Sequence, residues 1–189
     1  MPRESGTKRA ILDAALELAA TQGISSTTMD DVAERAGVAK GSLYYNFSSK
    51  DKLFEKLLLE GVGALNESLR EARSGLEGAP AIEAMVRALL ELLSRNRALA
   101  KLMAAEIFRT DRSWQHSLHL LRHEALAELV VAIGQTSPGV DAATRQLIAG
   151  SVFGATLMGG LEWLVFSPER SVDEVAGSVL YALSGRLMN

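Results

Sequence analysis

Five residues within one short stretch, Lys40, Gly41, Ser42, Tyr44 and Tyr45, have the types and spacing to do chemistry outside the protein. On a helix that turns about 100° per residue, Leu43 and Phe47 stand one turn apart and anchor it from behind. Residues 40, 41, 44 and 45 then face outward. A lysine there reaches a phosphate or a guanine edge, and a glycine lets backbone approach closely. The Ser42 hydroxyl bonds a base edge or a phosphate. Each tyrosine offers a hydroxyl for phosphate and a ring for a thymine methyl. Two adjacent tyrosines exposed to water would serve an unpartnered surface poorly, so DNA is the ligand whose chemistry fits best. Lys50 is expected in the first turn of the next helix, where backbone N–H groups favour an anion. A bare cation is unfavourable there, so a role toward phosphate explains it better than local stability does.

The elements that must position these residues are all helical, since no run alternates in the manner of a strand. The first helix is predicted over residues 7–22, with Ile11, Ala15, Leu18 and Ala19 as its buried stripe and Gly23 as its end. Thr28 is expected to cap the second helix, with Asp31 completing a capping box and Asp30 and Asp31 facing its positive end. Gly37-Val38 makes the corner before a third helix over 40–46. Ser48 or Ser49 caps a fourth that runs to about residue 72. After a loop at 74–80, helices follow at about 81–94, 97–109, 113–134, 141–166 and 171–187. The last carries a Ser171–Glu174 capping box. The fold class is therefore all-α, with about nine helices. Residues 1–50 form a three-helix helix-turn-helix domain and residues 51–189 a helical bundle. The boundary is expected inside the fourth helix, near residue 50, because both halves share that helix.

The 189 residues are 48% apolar, enough to bury a core, and contain no cysteine. That excludes a disulfide framework and a thiolate metal site. The start of the chain is polar and lacks the apolar run of a signal peptide, which with the missing cysteine fits a cytoplasmic location. Residues 146–161 carry no charge, but sixteen residues fall short of the ~20 that span a bilayer; no membrane partner is expected. Net charge is −3, and residues 1–50 sum to zero. Yet every charge from Arg35 to Lys50 is positive, and affinity for DNA follows local cations near phosphate. His116, His119 and His123 stand at i, i+3, i+7, a spacing that suits zinc or copper. Only Glu124 is near to complete such a set, so neither metal nor cofactor is expected. A metal-responsive regulator using that face is the alternative. No nucleophile–base pair or carboxylate cluster suggests an enzyme.

The combination Thr28-Met-Asp-Asp-Val-Ala33, Ala36-Gly-Val38, Lys40-Gly-Ser-Leu-Tyr-Tyr45 and Phe47, followed by Ser49-Lys50-Asp51 and Leu53, resembles the DNA-binding domain of the tetracycline-repressor (TetR) family. The resemblance covers about the first 55 residues. It implies a cytoplasmic homodimeric transcription regulator on double-stranded operator DNA, usually a repressor released by a small molecule. The family's DNA contacts fall on Lys40, Gly41, Ser42, Tyr44, Tyr45 and Lys50, with Thr28 near phosphate. Three residues depart from the pattern. Ala39 stands where many relatives place a Ser or Thr cap, which removes a bond worth ~1 kcal/mol. Asn46 replaces a common aromatic or histidine. Asp30 is acidic where some relatives read a base.

For the rest of the chain the resemblance implies a ligand cavity and a dimer interface made by the last two helices. Met85, Leu89, Met103, Phe108, Trp114, Phe153 and Leu157 are the large soft side chains expected to line a cavity for an apolar or amphipathic effector. Gly150, Gly154 and Gly159 permit close helix approach. With Val175, Val179 and Leu183 they are expected at a two-fold four-helix interface.

Overall fold

The computed structural model describes residues 6–106 and 115–185, apart from the side chains of 115–122. Among the described residues there are nine helices and no strand. They are α1 Gly6–Ser26, α2 Met29–Ala36, α3 Lys40–Asn46, α4 Lys50–Arg73, α5 Gly78–Arg95, α6 Arg97–Glu106, α7 Gln115–Thr136, α8 Ala142–Phe166 and α9 Val172–Leu183. Two compact units result. One runs to Gly61 and adds Ala98–Leu118; the other takes Val62–Arg97 and the chain from His119. The helix α4 contributes residues to both.

The first unit is built on a core of Ile11, Leu12, Ala15, Val32, Leu43, Phe47, Leu53 and Phe54, all buried, with Leu102 of α6 packed among them. Each large side chain so buried stabilises the fold by about 1.5–3 kcal/mol. Its short helices are held at their ends. The Thr28 hydroxyl accepts from the Asp31 N–H at 3.1 Å, and the Asp31 carboxylate accepts from the Thr28 N–H at 3.0 Å. At the other end of α2, Gly37 sits at φ 66, and its N–H bonds the carbonyls of Ala33 and Glu34. Left-handed backbone of this kind is open to glycine at no steric cost. As expected from Ala39, α3 begins without a side-chain cap. The Ser49 hydroxyl accepts from the Lys52 N–H at 3.2 Å and so opens α4.

In the second unit the long apolar helix α8 packs against α5 and α9, and α5 against α9. Its inner face presents Ala149, Val152, Phe153, Thr156, Gly160, Trp163 and Leu164. The Trp163 indole N–H donates to the Arg170 carbonyl at 3.0 Å and ties the α8–α9 connection down. By length and composition α8 also meets the test for crossing a membrane. A buried helix of a protein core meets the same test.

Candidate nucleic-acid interface

The helix α3 has two unlike faces. Leu43 is 0% exposed and Phe47, its C-cap, 5%, while Tyr44 is 50% and Tyr45 90% exposed. The Lys8 ammonium lies 5.9 Å from the centre of the Phe47 ring, a cation–π contact that closes the rear of the helix. Lys40 and Gly41 are exposed and Ser42 is half-buried. The structure therefore brings Lys40, Gly41, Tyr44 and Tyr45 together on one solvent face, with Ser42 at its edge.

The Lys40 ammonium bonds the Asp30 carboxylate at 2.6 Å across the α2–α3 corner. That bond, then the charge of Asp30, holds Lys40 above its ordinary lysine value, so it is a full cation at any physiological pH. Both groups are exposed, where solvent screening leaves an ion pair weak, so a phosphate can exchange for Asp30 at small cost. The separation of ten residues leaves no local sequence signal for this pair. Nor is there one for the Arg35–Glu17 bridge between α2 and α1, at 2.8 Å from Nε, which lowers the Glu17 carboxyl. Asp31 is lowered too, by the Thr28 hydroxyl and then its N–H. Thr28 stands exposed at the start of α2. The Asn46 amide folds back onto the Ser42 carbonyl at 2.8 Å.

Lys50 opens α4, as expected, and its ammonium has partners within the chain. Its ammonium donates to the backbone carbonyls of Ile24, Ser25 and Thr27 at 3.1, 3.1 and 3.0 Å. The half-buried cation is held by backbone carbonyls, and its partners lie 23 to 26 residues away, beyond the reach of any local pattern.

The residues expected to line a cavity do not all gather. Met85, Leu89 and Phe153 surround a void of about 10 Å³ in the second unit, with Leu69, Val86, Leu129, Val152 and Thr156. This is room for about one water. Met103 instead packs against the core of the first unit, and Leu157 is half-buried on α8. Phe108 and Trp114 lie outside the described residues, as do the side chains of His116 and His119; His123 is exposed. Among the described residues no group of three or more potential metal ligands forms.

The expected interface residues also divide. A Cβ on Gly159 would meet Val179 at 3.1 Å, and Val175 and Val179 are buried inside their own subunit, so these three build the α8–α9 contact. Gly150 and Gly154 face open space, and Leu183 is 37% exposed. A stripe of Leu147, Ser151, Gly154, Met158 and Val165 lies exposed along α8. Gly160 makes the close approach: a Cβ there would stand 2.6 Å from Leu93 and 3.0 Å from Leu90.

Residues 11–57 match the family model of bacterial regulatory proteins, tetR family. The HTH-type transcriptional repressor KstR2 of Rhodococcus jostii is 31% identical over 105 residues, 55% of this chain and 52% of that protein, so the match spans about half of its length. The HTH-type transcriptional activator FasR of Mycolicibacterium smegmatis is 26% identical over 189 residues, 98% of this chain and 84% of that one. The crystal structure of the transcriptional regulator FadR from Bacillus subtilis, in complex with stearoyl-CoA, superposes with a TM-score of 0.78 at 22% identity, covering 93% of this chain and 96% of that one.

Proposed function

We propose that this chain, whose residues 11–57 match the tetR family of bacterial regulatory proteins, is a DNA-binding transcriptional regulator that acts as a cytoplasmic homodimeric repressor released from its operator by a small apolar or amphipathic ligand. The observation that carries the reading is the split face of α3, where Tyr45 is nine-tenths exposed on a helix locked by Leu43 and Phe47. Lys40, Gly41, Ser42, Tyr44 and Tyr45 enter the major groove, and Thr28 sits at a flanking phosphate. Two copies of α3 address half-sites about 34 Å apart, one turn of DNA. The exposed α8 stripe, with Gly150, Gly154 and Leu183, supplies the two-fold contact. The DNA-binding domain ends in the first turns of α4, and a shift of that helix on ligand binding changes the half-site separation.

For the effector, the void among Met85, Leu89 and Phe153 is far smaller than the ~300–1,000 Å³ of an ordinary ligand site. A ligand entering there must therefore part these side chains. A protein of the same fold binds stearoyl-CoA, which makes long-chain acyl-CoA the first compound to test. A relative named as an activator matches as well as one named as a repressor. The sign of regulation follows where the operator lies relative to the promoter.

The test is a duplex enriched from a random-sequence library by the wild-type protein. Tyr45→Ala should weaken binding to it by about 1–3 kcal/mol, roughly 5- to 150-fold, with the melting temperature unchanged. Equal affinity in a gel shift would remove α3 from the interface.

A further inference from the structure

We propose that Lys50 is a positioning residue for DNA binding, acting through the backbone of residues 24–27 and not by touching phosphate; the proposal rests on the DNA-binding reading above. An ammonium has three N–H donors, and the three carbonyl bonds at 3.0–3.1 Å use them all. The carbonyls converge because α1 breaks at Gly23, whose backbone (φ 81, ψ 157) is not helical. The chain then turns tightly. The Thr27 N–H bonds the Ile24 carbonyl at 3.3 Å, and its hydroxyl returns to the Gly23 carbonyl at 2.9 Å. Ile24 is 2% and Thr27 0% exposed. The Ile24 carbonyl already accepts from the Thr27 N–H and Ser25 is exposed, so the carbonyl of the buried Thr27 is the one most in need of a donor, and Lys50 supplies it.

The consequence lies in what this joint connects. Lys50 is the first residue of α4, and residues 24–27 lead directly into Thr28, the N-cap of α2. One side chain thus pins the entrance of α2 to the first turn of α4. Leu53 and Phe54 of that helix share a core with Val32 and Leu43. The setting of α2 carries α3 with it through the Gly37 corner. The carbonyl ends also offset the poor place of a cation at the N-terminus of α4. A phosphate contact would have to break this cage.

The phosphate and positioning roles predict opposite behaviour for Lys50→Arg. A guanidinium serves phosphate as well or better, but its planar fork does not fit three converging carbonyls. Full-length wild type, Lys50→Arg, Lys50→Met, Lys40→Ala and Tyr45→Ala are compared on the library-selected duplex over a series of salt concentrations. Folded state is checked by circular dichroism. Both Lys50 variants should bind about tenfold or more weakly, the scale set by losing hydrogen bonds from a charged donor. Their slope of log affinity against log salt should equal that of wild type. Lys40→Ala should flatten that slope by about 0.9 for each phosphate the lysine neutralises. In the wild type, the Lys50 ammonium should give a protected nitrogen-15 signal that keeps its shift when the duplex is added.

Wild-type affinity in Lys50→Arg, a flattened slope in Lys50→Met, or an ammonium shift on adding duplex overturns the proposal. If Lys50→Met does not fold, the arginine variant and the wild-type spectrum still decide it. If the wild type selects no duplex, or Tyr45→Ala binds unchanged, the DNA-binding reading fails and the proposal with it. If those controls behave and Lys50→Arg binds normally, the positioning role alone falls.

Discussion

In the unit that carries α3, the described large hydrophobic side chains left exposed are Tyr44 and Tyr45; in the other unit they include Leu147, Met158, Val165 and Phe166. A tyrosine ring bears a hydroxyl and suits a wet, charged partner, whereas aliphatic stripes suit another apolar surface. The helices differ in the same sense. α2 and α3 are 8 and 7 residues long and depend on their ends: a capping box, a left-handed glycine, an ammonium among carbonyls. α5 and α8 are 18 and 25 residues long and depend on their sides. Short helices fix the direction of a few side chains. Long ones supply area to be buried, and area is adjustable where caps are not.

Breaking the sides of the long helices should cost most. Phe153→Ala, in the second unit, is expected to lower unfolding free energy by about 3–5 kcal/mol in chemical denaturation. DNA affinity per folded molecule should hold. A fall in affinity at full folding would join the two regions more tightly than this contrast allows.

A finer probe lies within α8 itself. Gly160→Val must displace Leu93 and Leu90 and should destabilise by about 1–3 kcal/mol. Gly154→Ala meets open space and should stabilise the subunit by about 0.5–1 kcal/mol. If the α8 stripe is the two-fold contact, Gly154→Ala alone should also weaken the dimer in sedimentation. A dimer unchanged by it would place the contact elsewhere.

Breaking an end in the first unit should cost less. Thr28→Ala removes the hydroxyl that accepts from the Asp31 N–H, while the backbone N–H that donates to the Asp31 carboxylate stays, and should cost about 1 kcal/mol in thermal unfolding. It should weaken DNA binding more than its small stability loss suggests, because Thr28 sets the entry to α2.

Acid should produce the smallest difference. Asp31 and Glu17 in the first unit, and Asp141 and Glu174 in the second, are all held below their ordinary values by hydrogen bonds, chiefly from Thr28, Arg35, Thr144 and Ser171. A depressed carboxyl contributes stability above its unfolded value, 3.8 for Asp and 4.5 for Glu, and loses it as pH falls through the lower folded value. Melting temperature should therefore be level above about pH 5 and fall below it. In Thr28→Ala the fall should be shallower, since Asp31 keeps the backbone N–H but loses the hydroxyl, the larger of its two partners; an equal fall would exclude the hydroxyl as a contributor.

Much of the first unit was legible in the chain. Thr28 with Asp31, Gly37, and the pair Leu43 and Phe47 act over three to five residues, and such spacing is visible without coordinates. The tyrosine face of α3 followed from the same periodicity. The carbonyl partners of Lys50 were not legible because all three stand far back in sequence. In the second unit, small and apolar residues marked α8 and α9 as packing helices, and the capping box at Ser171 was found where expected. Which face each presents was not marked. Gly159 and Gly154 are alike in type, yet one meets Val179 and the other meets nothing.

The order of letters alone settled the ends of α2 and α3, the start of α4 and which side of α3 stands free, since caps, glycine corners and the 3.6-residue repeat are short-range physics; α5 starts earlier and α9 stops sooner than expected. Tertiary structure decided the rest: that Lys50 grips carbonyls, that Asp30 holds Lys40, and that Met103 packs in one unit while Met85 and Phe153 pack in the other. Those outcomes depend on which distant surfaces meet, and residues that are interchangeable by type are told apart only by their neighbours in space.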